Sequence, residues 1–370
     1  MFIGLSPQGS AGQTLTLVAG GDVVWPYRLD IPQFERSIKF HDSIWDAGIP
    51  LSAQPFQSLG TTLTDADLAF VNLENPIASQ AQLQPLPWAP TFSAHPQLAS
   101  QLRDAGVNLV STANNHVLDA GIEGVSETLS HLDNAQIQAA GTGSTIAQAK
   151  KPAIVRKNGV RVALLAYTQP DNSLVGYATA TQPGSASINL RHIITDIKAV
   201  SADIILVSLH WGQTGQRQPT AAMRSLAHQI IDAGGDVILG HHPHVPQGIE
   251  IYCGKPIVYS LGNLVFPYTR PSWGDNMLVQ LTLSRKRVEN LQVLPIDGRN
   301  PARPSLLSGK RATTFLQTVQ KQSAALDTHL KIQGDRGTIQ LNSTLEAETA
   351  PLPPAATEKI DKSLDAAAFD

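Results

Sequence analysis

The stretch GHHPHV, residues 240–245, sets His241, His242 and His244 within six residues. Neutral imidazole is a ligand for Zn, Fe and Mn. His242 and His244 flank Pro243, so in an extended segment both side chains project to one side and reach one cluster. Pro243 stiffens the loop, which lowers the ordering entropy lost on binding. Ligand-type residues also close four other apolar runs: Asp22 in LVAGGD, Asn72 and Glu74 in LAFVNLEN, Asn114, Asn115 and His116 in VSTANNH, and His210 in ILVSLHWG.

Each of these has an ordinary reading by itself. An Asp after a strand caps a turn or helix. A lone histidine on an apolar strand is commonly a satisfied core residue, and Asn tolerates the left-handed backbone of a turn. As a set, they supply the oxygen and nitrogen donors that suit two divalent ions, Mn, Fe or Zn. A carboxylate such as Glu74, or an amide oxygen such as Asn115, bridges or completes such a pair. Two metals about 3.5–4 Å apart clamp a phosphoryl group and activate a hydroxide between them. His116, next to Asn115, is then placed to act as a general acid.

Other chemistries lack their residues. There is no G-x-S-x-G elbow and no G-x-x-x-x-G-K-[ST] phosphate loop. GTGST (141–145) lacks the lysine and reads as a turn. The single cysteine, Cys253, forms neither an intrachain disulfide nor a thiolate zinc site, and reads as structural. A net charge of −3 without a run of one sign argues against nucleic acid as a partner. The expected substrate is an anionic small molecule or polymer. No stretch approaches the roughly 20 apolar residues of a membrane helix. MFIGLSPQGSAGQ has no positive leader of a signal peptide. The sequence as it stands reads as cytoplasmic, and an incomplete N-terminus would allow an extracytoplasmic place.

The elements that must carry these residues alternate. Apolar runs at 15–20, 68–73, 108–113, 161–167, 203–210 and 236–241 read as buried strands. Leu98, Leu102 and Ala105 recur at helical spacing, as do Val125, Leu129 and Leu132, and Leu226, Ile230 and Ala233. This is an α/β pattern. After residue 247, IEIY, KPIVYS, NMLVQLTL and VENLQVLPI suggest a second, more antiparallel sheet. A helix over about 311–330 and a last strand at GTIQL (337–341) follow. The expected organisation is a flexible stretch 1–13, one domain over 14–342 and a disordered Ala/Pro/charge-rich tail over 343–370. LRDAGVNLVSTANNH (102–116) and IIDAGGDVILGHHPH (230–244) share a plan of helix end, Asp-Ala-Gly, strand and polar loop. Gly106 and Gly234 fit helix ends that need positive φ. In α/β sheets, sites form beyond the carboxyl ends of strands.

Six motifs occur in order: GGDVV, FVNLENPI, STANNHVLDAG, VSLHWG, GHHPHVPQGIEIY and YSLGNLVF. Together, over about residues 14–341, they resemble the CapA-type poly-γ-glutamate capsule-synthesis proteins, a family similar to calcineurin-like metallophosphoesterases. The resemblance implies a four-layer α/β/β/α metallophosphoesterase-like sandwich with two central mixed sheets and a dinuclear site in the loops. By motif, Asp22, Glu74, Asn115, His210, His242 and His244 take metal-ligand places, and His116 the place of the acid. Glu74 stands where the broader superfamily has a bridging aspartate, and His241 where it has a glycine. Asn72, Asn114, His241 and Asn263 are supporting residues. The superfamily's D-x-H is here Asp22-Val23-Val24, so one ligand of the first metal is missing. Thr214 and Gly215 replace the Glu-Tyr pair that usually follows HWG. Two functions follow: a metal-dependent hydrolase of a phosphoester or related cell-envelope substrate, or a non-catalytic binding or scaffold component of a polyglutamate synthesis or export complex with an envelope partner.

Overall fold

A computed structural model of the chain describes residues 14–26, 28–30, 54–78, 83–84, 89–169, 176–266, 270, 273–300 and 302–341. The expectations for 1–13 and 343–370 fall outside the described residues.

Two mixed sheets face each other. In the first, Thr14–Val23, Leu68–Leu73, Leu109–Ser111 and Gln138–Ala140 run parallel, one beside the next. Asn276–Ser284, Val288–Ile296, Arg336–Gln340 and Lys331–Gln333 continue it antiparallel from the other side of Thr14–Val23. The second sheet has Val160–Thr168, Ile204–His210, Val237–His241 and Lys255–Val258 parallel, with Ala153–Lys157 and Ile249–Tyr252 as antiparallel edges.

Side-chain alternation builds the layers. Leu17, Ala19 and Phe70 of the first sheet meet Leu164, Leu206 and Leu239 of the second in a shared buried core. The neighbouring residues Val18, Ala69 and Val71 face the opposite way, onto helices Gln97–Asp104 and Gly121–Asn134 through Leu98, Leu102 and Leu132. Leu165, Val207 and Ile238 do the same on the second sheet, against Ile193, Ile197, Met223 and Ile230 of helices Leu190–Ala199 and Ala221–Asp232. The order is therefore helix, sheet, sheet, helix. Strands that are covered on both faces read as continuous apolar runs, which is the pattern of LAFVNL and IILVSLH.

The strands after residue 247 do not form a sheet of their own. Ile249–Tyr252 and Lys255–Val258 extend the second sheet, whereas Asn276–Ser284 and Val288–Ile296 extend the first. The edges of the parallel strands in each sheet present unpaired backbone groups, and a hairpin gains more by pairing there than alone. Among the described residues, the last helix is Gly309–Ala324, whose Leu316 and Val319 enter the core between the sheets. Leu326 lies beyond its end but stays buried. Thr142–Gly143, in the expected turn, pairs instead with Gly184–Ser185. Cys253 is exposed, at φ 50° in the turn between Ile249–Tyr252 and Lys255–Val258. Gly106 and Gly234 have φ of 93° and 117°, as their helix-end positions require. Among the described residues, no helix is long and apolar enough to cross a membrane.

Candidate metal centre

The carboxyl ends of the parallel strands of both sheets converge, and the ligand-type residues meet there. The first sheet contributes Asp22, Asn72 and Glu74 from adjacent strands, with Asp22 and Asn72 in register. It also brings Asn114–His116 beyond Leu109–Ser111. The second sheet contributes His210 and His241, in register on neighbouring strands, and the loop with His242 and His244. The two echoing segments thus lie in facing sheets and close on one another: His210 Nε2 is 2.8 Å from Asn115 Oδ1 and 3.0 Å from His242 Nδ1.

Two groups of ligating atoms result. Glu74, His210 and His242 form one, and Asp22, Glu74 and His244 the other, with the atoms of each within 4.8 Å of one another. Glu74 belongs to both. Asn115 joins the first through its oxygen beside His210 Nε2. In the second, His244 Nδ1 is 3.3 Å from Asp22 Oδ2. The loop is not extended: His242 and His244 have φ of 92° and 58°. The expected common projection of both imidazoles therefore fails, and the turn about Pro243 sends each to a different group. Gly215, φ 79°, donates its N–H to Pro243 O at 2.8 Å and so fixes this turn.

Supporting residues have distinct tasks. Asn72 Nδ2 donates to Asp22 Oδ1 at 2.8 Å and lies 3.3 Å from His210 Nδ1. His241 is fully buried, its Nδ1 3.3 Å from the same Asp22 oxygen. Asp22 Oδ1 is thus held from behind, and Oδ2 turns toward His244. Asn114 belongs to neither group. It ties its loop down, donating to Leu73 O and accepting the His116 N–H. Asn263 Oδ1 stands 2.9 Å from His244 Nδ1.

Burial and mutual charge perturb the titratable groups of this cluster strongly. Both Glu74 oxygens are buried and have no hydrogen-bond partner among the described residues. The imidazole nitrogens nearest in ion-pair range, on His210 and His244, are 3.6 and 3.8 Å away. Burial, then the charge of Asp22, pushes the Glu74 carboxyl well above its usual range. Burial opposes the Asp22 charge too, but His241 and His244 hold that carboxyl well below its usual range. Burial, reinforced by His242, keeps His210 well below the usual imidazole value. Burial and His244 bring His242 to about 3. Both histidines are thereby neutral, the form that ligates metal. A buried, unpartnered carboxylate is costly unless a cation meets it, so this donor set fits divalent ions.

His116 sits beside the first group, its Nδ1 2.7 Å from Asp119 Oδ2. Asp119 also accepts the Phe92 N–H at 2.7 Å, and the Phe92 ring lies 4.8 Å from the imidazole. Burial raises the Asp119 carboxyl, outweighing the pull of His116. The pairing fixes the ring and leaves Nε2 as the nitrogen that Asp119 does not engage. Sequence reasoning gave Asp119 no role, although its i+3 spacing from His116 in HVLD was the available signal. It also missed the wall formed by Val24, Phe92, Val245, Phe266 and Trp273. The Phe266 and Trp273 rings lie 4.8 and 4.9 Å from that of His244. Val24, two residues after Asp22, contributes packing there and no ligand.

Residues 16–268 match the family described as bacterial capsule synthesis protein PGA_cap. The PGA biosynthesis protein CapA of Bacillus subtilis is 34% identical over 246 residues, which are 65% of this chain and 64% of that one. The capsule biosynthesis protein CapA of Bacillus anthracis is 33% identical over 251 residues, 65% of this chain and 61% of that one. The chain thus spans less than two thirds of the length of these relatives. Among solved structures, a phosphatase of Mycoplasma pneumoniae is similar with a TM-score of 0.46 and 13% identity, over 78% of this chain and 96% of that one. The match to the family covers more than half of the sequence and spans every strand end that brings a ligand-type residue to the centre; the chain belongs to the bacterial capsule synthesis protein PGA_cap family.

Proposed function

We propose that this chain is a metal-dependent hydrolase acting on a phosphoester, or a related bond in an anionic cell-envelope substrate, with two divalent ions (Mn, Fe or Zn). The observation that carries the reading is Glu74: one buried carboxylate, with both oxygens unpartnered, common to two groups of ligating atoms. Glu74, Asn115, His210 and His242 would hold one ion, and Asp22, Glu74 and His244 the other. When bound, such a pair supplies Lewis-acid charge and lowers the pKa of water.

The chain's own residues do the rest. Asn72 and His241 fix Asp22 so that one oxygen faces the site. The aromatic wall beside His244 lowers the local dielectric and so strengthens every charge interaction there. Asp119 orients His116, whose Nε2 carries the proton to the leaving oxygen as a general acid. The envelope context comes from the names of the relatives, which are biosynthesis proteins for capsule or PGA.

Elemental analysis of untagged protein prepared without chelators tests this, comparing wild type with the double variant His242→Ala/His244→Ala. About two equivalents of metal in the wild type, lost in the variant, and hydrolysis in a phosphodiester and phosphomonoester screen are the expected outcome. Absence of metal after reconstitution with Mn²⁺ sinks the hydrolase and leaves a binding protein of the capsule machinery.

A further inference from the structure

Resting on the two-ion reading above, we infer that Asn263 supplies a ligand oxygen to the ion held by Asp22, Glu74 and His244. That group is short of donors. Among the described residues, the first ion's group gathers four side chains, including Asn115, whereas the second gathers three. Val24 offers nothing, since its side chain is buried among Phe92, Val245, Phe266 and Trp273.

The backbone delivers Asn263 to the gap. Asn263–Val265 pairs parallel with the Asp22 strand, with Asp22 opposite Asn263. The Asp22 N–H donates to Gly262 O at 3.0 Å. The contact is so close that a Cβ at Gly21 would fall 1.8 Å from that oxygen. On the other side, Gly262 has φ 72°, and a Cβ there would fall 2.2 Å from Asn276 Oδ1. The Asn276 oxygen in turn accepts the Asn263 N–H at 3.1 Å. Two glycines and one asparagine therefore fix the Asn263 backbone before any ion arrives. The residue is 3% exposed, too buried to be a surface residue passing by.

Geometry then favours ligation over a purely orienting role. His244 Nδ1 has Asn263 Oδ1 at 2.9 Å and Asp22 Oδ2 at 3.3 Å. Two ligand atoms, each about 2.1 Å from an ion and at right angles, lie about 3 Å apart. These three atoms have that spacing along both measured edges. Asn263 and Asp22 address the same nitrogen of His244, Nδ1, whereas Glu74 Oε1 stands nearest Nε2, at 3.8 Å, so Asn263 shares the side of the ring that Asp22 faces. The amide is neutral, so it adds a donor without a third negative charge beside Asp22 and Glu74.

The test is a crystal structure of the full chain soaked in Mn²⁺, with anomalous scattering to place the ions, together with Mn²⁺ titration of wild type and Asn263→Ala. The expected result has two Mn²⁺ peaks, with Asn263 Oδ1 bound directly to the one beside Asp22. In Asn263→Ala, one of the two Mn²⁺ equivalents weakens about tenfold or more while the other keeps its affinity, and thermal melting of the metal-free variant matches wild type. An Mn²⁺ beside Asp22 with Asn263 Oδ1 outside bonding distance overturns the inference and leaves the two-ion reading standing. A single Mn²⁺, at Glu74, His210 and His242, also overturns it. No Mn²⁺ at either place overturns both. If Asn263→Ala melts early, Asn263→Asp replaces it in the titration: retention of both equivalents is expected, and loss of the second counts against ligation.

Discussion

Glu250 and Glu74 are both buried acids beside histidines, at different places on the fold. Glu250, on Ile249–Tyr252 at the edge of the second sheet, meets Arg224 at 3.1 Å, His228 at 2.9 Å and the Tyr259 hydroxyl at 2.5 Å. Burial alone would raise its pKa, but the hydroxyl, the guanidinium and the imidazole together bring it below its ordinary value. Glu74 has imidazoles at ion-pair distance, no hydrogen bond, and a carboxyl driven well above its ordinary value. The protein surrounds one acid with partners from its own side chains and leaves the other, among the described residues, without a hydrogen bond. An acid with a full shell is architecture. An acid without hydrogen bonds, placed where strand ends converge, is a candidate site.

The contrast is sharpened most by removing the charge at Glu74. Glu74→Gln is expected to abolish binding of both ions, measured by elemental analysis, and to lower phosphodiester turnover by about 1000-fold, the equivalent of several kcal/mol of lost charge stabilisation. Loss of one ion only would mean that Glu74 is not shared. His116→Ala should lower turnover by about 100-fold or more while metal content stays unchanged, because the acid is not a ligand. A fall in bound metal would break that division of labour.

Chelation gives the third comparison. An ion held at 100 times its Kd stabilises the fold by about 2.7 kcal/mol. Removing metal with EDTA should therefore lower the melting temperature of wild type and leave Glu74→Gln unmoved. An equal drop in both would place the stabilising ion elsewhere.

The smallest effect is expected at Glu250. Glu250→Gln should cost about 1–3 kcal/mol in urea unfolding, since Arg224 and His228 lose a charged partner, with metal content unchanged. The sign with pH follows from a depressed carboxyl: its stabilisation is present above the unfolded Glu value near 4.5 and is lost as pH falls through the lower folded value. Wild type should therefore lose stability faster than Glu250→Gln below about pH 4.5. Parallel acid unfolding curves would show that the shell around Glu250 carries no net stabilisation.

Much of this molecule was legible in the sequence. Period-two and continuous apolar runs placed the central strands, because a strand covered on both faces has to be apolar throughout. The positive φ of Gly106 and Gly234 followed from their place after helices. That Asp22, Glu74, Asn115, His210, His242 and His244 come together was foreshadowed by their common position at the ends of apolar runs. What pairing does was not legible. The hairpins after residue 247 carry an alternation that suits either sheet, and only the available edges decided that one joins each. The split of His242 and His244 between two groups depends on positive φ at both, which no side-chain pattern announces. Asp119 and Asn263 acquire partners only when His116 folds back over three residues and when Asn263–Val265 pairs with the strand of Asp22. Residue type and local period thus fixed which side chains stand ready for chemistry. Long-range strand pairing and close backbone packing decided which of them come within reach of one another, because those distances arise between segments as far apart in sequence as Asp22 and Asn263.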